Sequence, residues 1–209
     1  MPVEDISIDE IASRLLDSPP ALANRESLIP DWGPGVPFER PPVPAAVLIA
    51  IIERPEGHTV LYTERSSELR AHSGQVAFPG GKIDPTDIDA ADAALREAME
   101  EVGLDRNHAE VLGFMPTYYT GTNYLITPVV ALVRPSGPFV PNPREVEAVF
   151  EVPLARLLRH ESYGTFKVMR NGEEHSTWQI DHEGHVIWGI TANLTRRFRD
   201  LVLGDEGRP

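Results

Sequence analysis

Apolar side chains at Ile6, Ile8, Ile11, Leu15 and Leu16 recur at short helical steps, a spacing that turns one face of a short amphipathic helix toward a core. Pro19 and Pro20 stop it. Prolines then crowd the stretch from Ser18 to Pro44, with Pro34, Pro37, Pro41, Pro42 and Pro44 close together, so no regular element runs through it and a wrapping arm is predicted. From Ala45 the pattern changes. Ala45 to Ile52 is an unbroken apolar run rich in β-branched residues, and His58 to Arg65 is a second strand-like run. Pro55, Glu56 and Gly57 between them supply turn chemistry, which predicts a β-hairpin with a buried first strand.

Ser66 to Lys82 is polar and Gly-rich around a short apolar piece, Val76 to Phe78. Asp89 to Val102 has helix-forming composition and runs into Gly103, a helix stop. Downstream, Glu110 to Tyr119 and Tyr124 to Val133 read as strands, and Pro135 to Pro143 as a loop. Pro153 to Arg159 reads as a short helix, Thr165 to Met169 and Thr177 to Ile180 as strands, and Val186 to Val202 as a closing helix. Strands dominate around one strong central helix, which predicts an α/β fold with a mixed sheet and helices on its faces. There is no internal repeat. Residues 1–44 are expected to form an N-terminal helix and Pro-rich arm, 45–203 one domain, and 204–209 a polar tail.

Composition narrows the function. Lys plus Arg is 19 against 32 Asp plus Glu, a formal net charge of −13, so nucleic acids and anionic membranes are not expected as partners and an anionic substrate needs a local positive site or a metal. No Cys is present. That removes disulfides, thiolate zinc sites, Fe–S clusters and cysteine nucleophiles, and fits a reducing, cytoplasmic setting. The acidic start lacks the pattern of a secretory signal, and the longest apolar run is far short of a membrane span.

The central helix carries Arg96, Glu97, Glu100 and Glu101 in the string REAMEEVGL. Steps of three and four residues put the three glutamates on adjoining parts of one face, where like charges oppose each other. Two readings are open. One is a solvated acidic face with an ordinary Arg96–Glu100 ion pair; the other is a platform for a hard divalent cation, Mg²⁺ or Mn²⁺, which takes oxygen ligands. Phe78, Pro79, Gly80 and Gly81 lie upstream as a tight turn whose backbone can approach a ligand or offer a carbonyl to a metal.

These residues resemble the Nudix hydrolases. The second half of that family's signature is complete in Arg96, Glu97, Ala98, Glu100, Glu101, Gly103 and Leu104. The first half departs: fourteen residues separate Gly81 from Arg96, one more than the general pattern, and the position of the first acid holds Asp87. This longer form is similar to the coenzyme A pyrophosphatase branch. That branch carries a second string, which Leu61, Thr63, Arg65, Ser66, Arg70, Gly74, Phe78, Pro79, Gly80 and Gly81 fill in register.

The resemblance implies a Nudix α/β/α sandwich with a mixed sheet and Mg²⁺- or Mn²⁺-dependent hydrolysis of the diphosphate in coenzyme A or its thioesters. It implies Glu97 and Glu101 as metal ligands, Glu100 as a direct or water-mediated one, the Gly80 carbonyl as a backbone ligand, and Arg96 as an anchor for a helix carboxylate. Arg65, Arg70 and Lys82 flank the turn and are candidates for phosphate contact. His72, Ser73 and Gln75 share that loop. The family often takes a base from a later loop, where Glu145 and Glu147 stand. Family members often pair, which leaves both a monomer and a homodimer open, and Ala45 to Ile52 is either an interface strand or a core strand. Trp178 and Trp188 are expected in the core; Tyr118, Tyr119 and Tyr124 either line a pocket mouth or pack inside. The rival functions are a pyrophosphatase acting on NADH, ADP-ribose or a nucleoside triphosphate, and a nucleotide-binding sensor without turnover.

Overall fold

The structure, a computed structural model, describes residues 6–19, 38–67, 74–170 and 173–204. Its centre is a parallel pair. β1 (Val43–Ile52) runs alongside β7 (Tyr124–Val133) in register from Val43 opposite Tyr124 to Ile52 opposite Val133. A strand whose side chains alternate between faces can be apolar throughout only if both faces are covered. Both are: Ile49 and Ile51 enter one hydrophobic cluster, while Ala46, Leu48, Ala50 and Ile52 enter another on the opposite face.

β2 (Thr59–Arg65), β3 (Val76–Ala77), β4 (Gly80–Lys82), β5 (Ala109–Phe114), β6 (Tyr118–Tyr119) and β8 (Val146–Pro153) complete an eight-stranded mixed sheet ordered β3-β2-β1-β7-β5, with β4 on β1, β6 on β7 and β8 on β2. α2 (Ala90–Val102) covers one face. α1 (Ile8–Ala12) and α4 (Gly189–Leu203) cover the other, with α3 (Leu154–Leu157) beside them. A separate three-stranded sheet of β9 (Gly164–Arg170), β10 (Glu173–His182) and β11 (His185–Trp188) leads into α4. Thr191 Oγ1 donates to the Val76 carbonyl at 2.8 Å and the Tyr62 and Thr195 hydroxyls lie 3.0 Å apart, which fixes α4 on the sheet. This is the α/β sandwich with a mixed sheet that the sequence predicts.

Several details differ. The N-terminal helix is shorter than Ile6 to Leu16, and Leu16 instead pairs with Phe114 as a β-bridge. The predicted hairpin is real only at its base, where Ile51 and Ile52 meet Val60 and Thr59; farther along, Thr63 and Glu64 of β2 pair with β3, while β8 runs along all of β2 on its other edge. The strand expected over Glu110 to Tyr119 is two strands, β5 and β6. β8 lies in the stretch after the Pro-rich loop for which the sequence predicts no element, and β11 occupies the start of what reads as one closing helix. β1 is flanked by β7 on one side and by β2 and β4 on the other, so it has no free edge for a second copy and the interface reading of Ala45 to Ile52 falls. Trp178 and Trp188 are half-buried rather than core: Arg196 stacks on Trp178 and Phe166 on Trp188. Tyr118 and Tyr119 are buried and Tyr124 half-buried. Most of the Pro-rich arm, at 20–37, and the tail from 205 lie outside the described residues, as do Arg70, His72 and Ser73. Among the described residues no helix is long and apolar enough to cross a membrane.

Candidate active site

α2 places the acidic face. Asp89 caps its start by accepting from the Asp92 amide at 2.8 Å, and Gly103, left-handed at φ 68°, closes its end with its amide turned back to Ala98 and Met99. Ala90, Ala93, Ala94, Ala98 and Val102 are buried on the sheet. That orientation carries Glu101 inward and leaves Glu100 at the rim: the Glu101 side chain is 4% exposed and that of Glu100 is 49% exposed.

Arg96 ties the acids together. Its Nε and Nη2 donate to the two Asp87 oxygens at 2.8 and 3.0 Å, its Nη1 to Glu97 at 2.9 Å and Glu100 at 3.4 Å, and Nη2 also to the Lys82 carbonyl at 3.2 Å. This fork-to-fork pairing holds the Asp87 carboxyl below its ordinary range and keeps Arg96 charged. Asp87 thus faces Arg96 and braces the helix from the loop before it. The extra residue ahead of Arg96 leaves this pairing intact.

Glu101 has weaker company. It accepts from the Gly80 amide at 3.2 Å and lies 4.0 Å from Arg65 Nη1. Burial pushes its carboxyl up to about 7, against the pull of Gly80 and Arg65, and the charges of Glu97 and Glu145 add to the rise. Burial also raises Glu97, opposed by Arg96 and reinforced by Glu100 and Glu145. A Cβ at Gly81 would lie 2.5 Å from the Glu97 carboxyl carbon, so a larger residue there would displace the end of the Glu97 side chain. At Gly80 a Cβ would meet the Ala46 carbonyl oxygen.

Of the two later acids, the fold ties Glu145 to this cluster: its carboxylate accepts from Asn142 Nδ2 at 3.2 Å, and the Asn142 amide is bonded to the Glu101 carbonyl. Glu147 accepts instead from the Ser67 amide at 3.1 Å. Arg65 is half-buried beside Glu101, and its Nε is buried with no hydrogen-bond partner among the described residues. Lys82 is exposed at the end of β4. Sequence reasoning did not single out Asn142, which hydrogen-bonds both to Glu145 and to the end of α2; the signal was the Asn-Pro-Arg-Glu string, a turn signature.

The sequence profile of the NUDIX domain matches residues 42–171. The chain belongs to the Nudix hydrolase family. The uncharacterized Nudix hydrolase NudL of Escherichia coli K12 is 45% identical over 152 residues, covering 73% of this chain and 79% of its own. The same figures hold for NudL of Escherichia fergusonii. A crystal structure of a C. elegans Ap4A hydrolase binary complex covers 78% of this chain and 98% of its own at TM-score 0.50 and 16% identity, a likeness of fold alone. This Nudix hydrolase acts on a nucleoside diphosphate derivative.

Nudix hydrolases need divalent metal ions, and the donor set fits one. It is all oxygen, which suits hard cations, and it contains a buried carboxylate, Glu101, and a half-buried one, Glu97, whose raised pKa values a cation would reverse. Among the described residues no three acidic or histidine side chains converge closely enough to ligate a cation in this arrangement. The reason is visible in the bonding: Glu97 and Glu100 are turned onto Arg96 and Glu101 onto the Gly80 amide.

Proposed function

We propose that this Nudix hydrolase cleaves the diphosphate of coenzyme A or its thioesters, giving 3′,5′-ADP and 4′-phosphopantetheine or its acyl form. The observation that carries the reading is Arg65. It belongs to the second string, Leu61 to Gly81, that resembles the coenzyme A pyrophosphatase branch, and the fold sets it beside Glu101 of the signature helix. Catalysis is assigned to the domain over 45–203, with 1–44 as its arm.

Glu97, Glu101, the Gly80 carbonyl and, at the rim, Glu100 would hold Mg²⁺ or Mn²⁺. Such an ion would offset the charge of the diphosphate and lower the pKa of a water held beside it. Arg96 keeps Glu97 and Glu100 aimed while Asp87 fixes the guanidinium from behind. Arg65, together with Arg70 and Lys82, meets substrate phosphates. Glu145 takes the proton of the attacking water, while Glu147 is engaged instead by the Ser67 amide.

The test is mass-spectrometric product analysis with coenzyme A, NADH, ADP-ribose and dGTP, each with Mg²⁺, with Mn²⁺ and with chelator, run beside Glu101→Gln. Release of 3′,5′-ADP from coenzyme A alone, lost in chelator and in the variant, is the expected result. Preferential cleavage of another compound overturns the substrate, and binding without turnover replaces the enzyme with a sensor.

A further inference from the structure

We propose that Asn142 is a positioning residue that holds Glu145 in the active site and locks its loop to the end of α2. The inference rests on the reading of Glu145 as the group that takes the proton from water.

Asn142 uses nearly every polar atom it has. Its amide donates to the Glu101 carbonyl at 2.8 Å, so the loop is joined to the very residue whose carboxylate is buried in the site. Its carbonyl accepts from the Glu145 amide at 3.0 Å and the Val146 amide at 2.8 Å. Its Oδ1 accepts from the Arg144 amide at 3.2 Å, and its Nδ2 donates to Glu145 Oε1 at 3.2 Å. Asn at the first position and Pro143 at the second favour the tight turn that brings residue four, Glu145, back over residue one. The Ser66 amide donates to the Glu145 carbonyl at 2.9 Å and fixes the turn from the side of Arg65.

The side-chain bond is what an ordinary turn residue would not need. Glu145 stands close enough to Glu97 and Glu101 for its charge to act on both. A carboxylate so placed is repelled from the cluster and turns to solvent unless something holds it. Asn142 Nδ2 is a neutral donor from inside the same turn, which restrains the carboxylate while leaving its charge in place. Asp at 142 would keep the acceptor for the Arg144 amide but put a negative oxygen where the donor was. Asn142→Asp therefore separates holding Glu145 from making the turn.

The experiment is a double-mutant cycle on the full chain, with Asn142→Asp, Glu145→Gln and the double variant assayed for kcat and KM on the substrate that the product analysis identifies. Each is also melted in chelator, a readout that turnover does not enter. We expect Asn142→Asp to lower kcat by roughly ten- to a hundredfold with KM nearly unchanged, and to add less than about twofold once Glu145 is Gln. Its melting temperature in chelator is expected to stay within a few degrees of the parent. An undiminished kcat in Asn142→Asp, or the same loss in both backgrounds, overturns the positioning role. An undiminished kcat in Glu145→Gln overturns the base assignment itself, whatever Asn142→Asp does. If Asn142→Asp melts far lower, Asn142→Ser takes its place in the cycle: its hydroxyl can still accept from the Arg144 amide but is too short to reach Glu145.

Discussion

A single methyl group tests how tightly the acids are held. Gly81→Ala brings a Cβ within 2.5 Å of the Glu97 carboxyl carbon, and since backbone conformation does not demand glycine there, the strain falls on Glu97. The variant is expected to fold and to lose roughly ten- to a hundredfold in kcat, because displacing a reacting group by about an ångström costs about that much. A steady-state assay beside a thermal melt checks it. Glu101 gives the second residue-scale prediction, in stability. Its folded carboxyl sits near 7 against an ordinary 4.5. Between those values the folded chain keeps a proton that the unfolded chain releases. Metal-free stability therefore falls as pH rises through the window, by about 3 kcal/mol at most. Melts in chelator from about pH 5 to 8 should show the decline, Glu101→Gln should flatten it, and Mg²⁺ or Mn²⁺ should raise the melting temperature most at the alkaline end. Asp87 works in the opposite sense: Arg96 depresses its carboxyl, so its contribution is present above its ordinary 3.8 and is lost only in acid.

At the scale of elements, α2 meets the sheet through Ala90, Ala93, Ala94 and Ala98, a nearly flat face that lets helix and strands approach closely. Ala94→Leu is expected to destabilise the fold by about 1–3 kcal/mol, because the packed face has no room for the added carbons; denaturant unfolding measures it, and turnover should fall further than the stability loss explains as the glutamates are lifted. The helix and its end were legible in sequence because helix-forming composition and the Gly103 stop agree. The buried β1 and β7 were legible for the same reason, as long apolar runs. β8 was not. Its Val146, Ala148, Phe150 and Val152 alternate with Glu147, Glu151 and Pro153, and the acids and flanking prolines of an edge strand mask a two-residue period. β11 hid inside the apolar run that continues into α4, where only the left-handed Gly189 marks the change of period. In the site, the string showed which acids gather but not how they pair. That Asp87 faces Arg96, and that Glu145 rather than Glu147 turns toward the helix, depends on a turn and a strand register that no spacing rule contains.

For the molecule as a whole, a formal charge of −13 means that a polyanionic substrate approaches a repelling body, so its affinity has to come from local positive groups or a metal, the part proposed above for Arg65 and its neighbours. The site those cations serve is assembled from distant parts of the chain: the Arg65–Ser66 end of β2, the Gly80 turn, the close of α2 and the Asn142 turn. β1 in turn finds its long parallel partner only in β7. A ribosome therefore delivers the whole acidic signature well before the strand that centres the sheet and the turn that closes the site. A nascent chain halted after α2 has all the letters of the family signature and no hydrolase, so competence arrives late in synthesis and with the fold as a unit, and the cell's diphosphate pool meets no half-built enzyme.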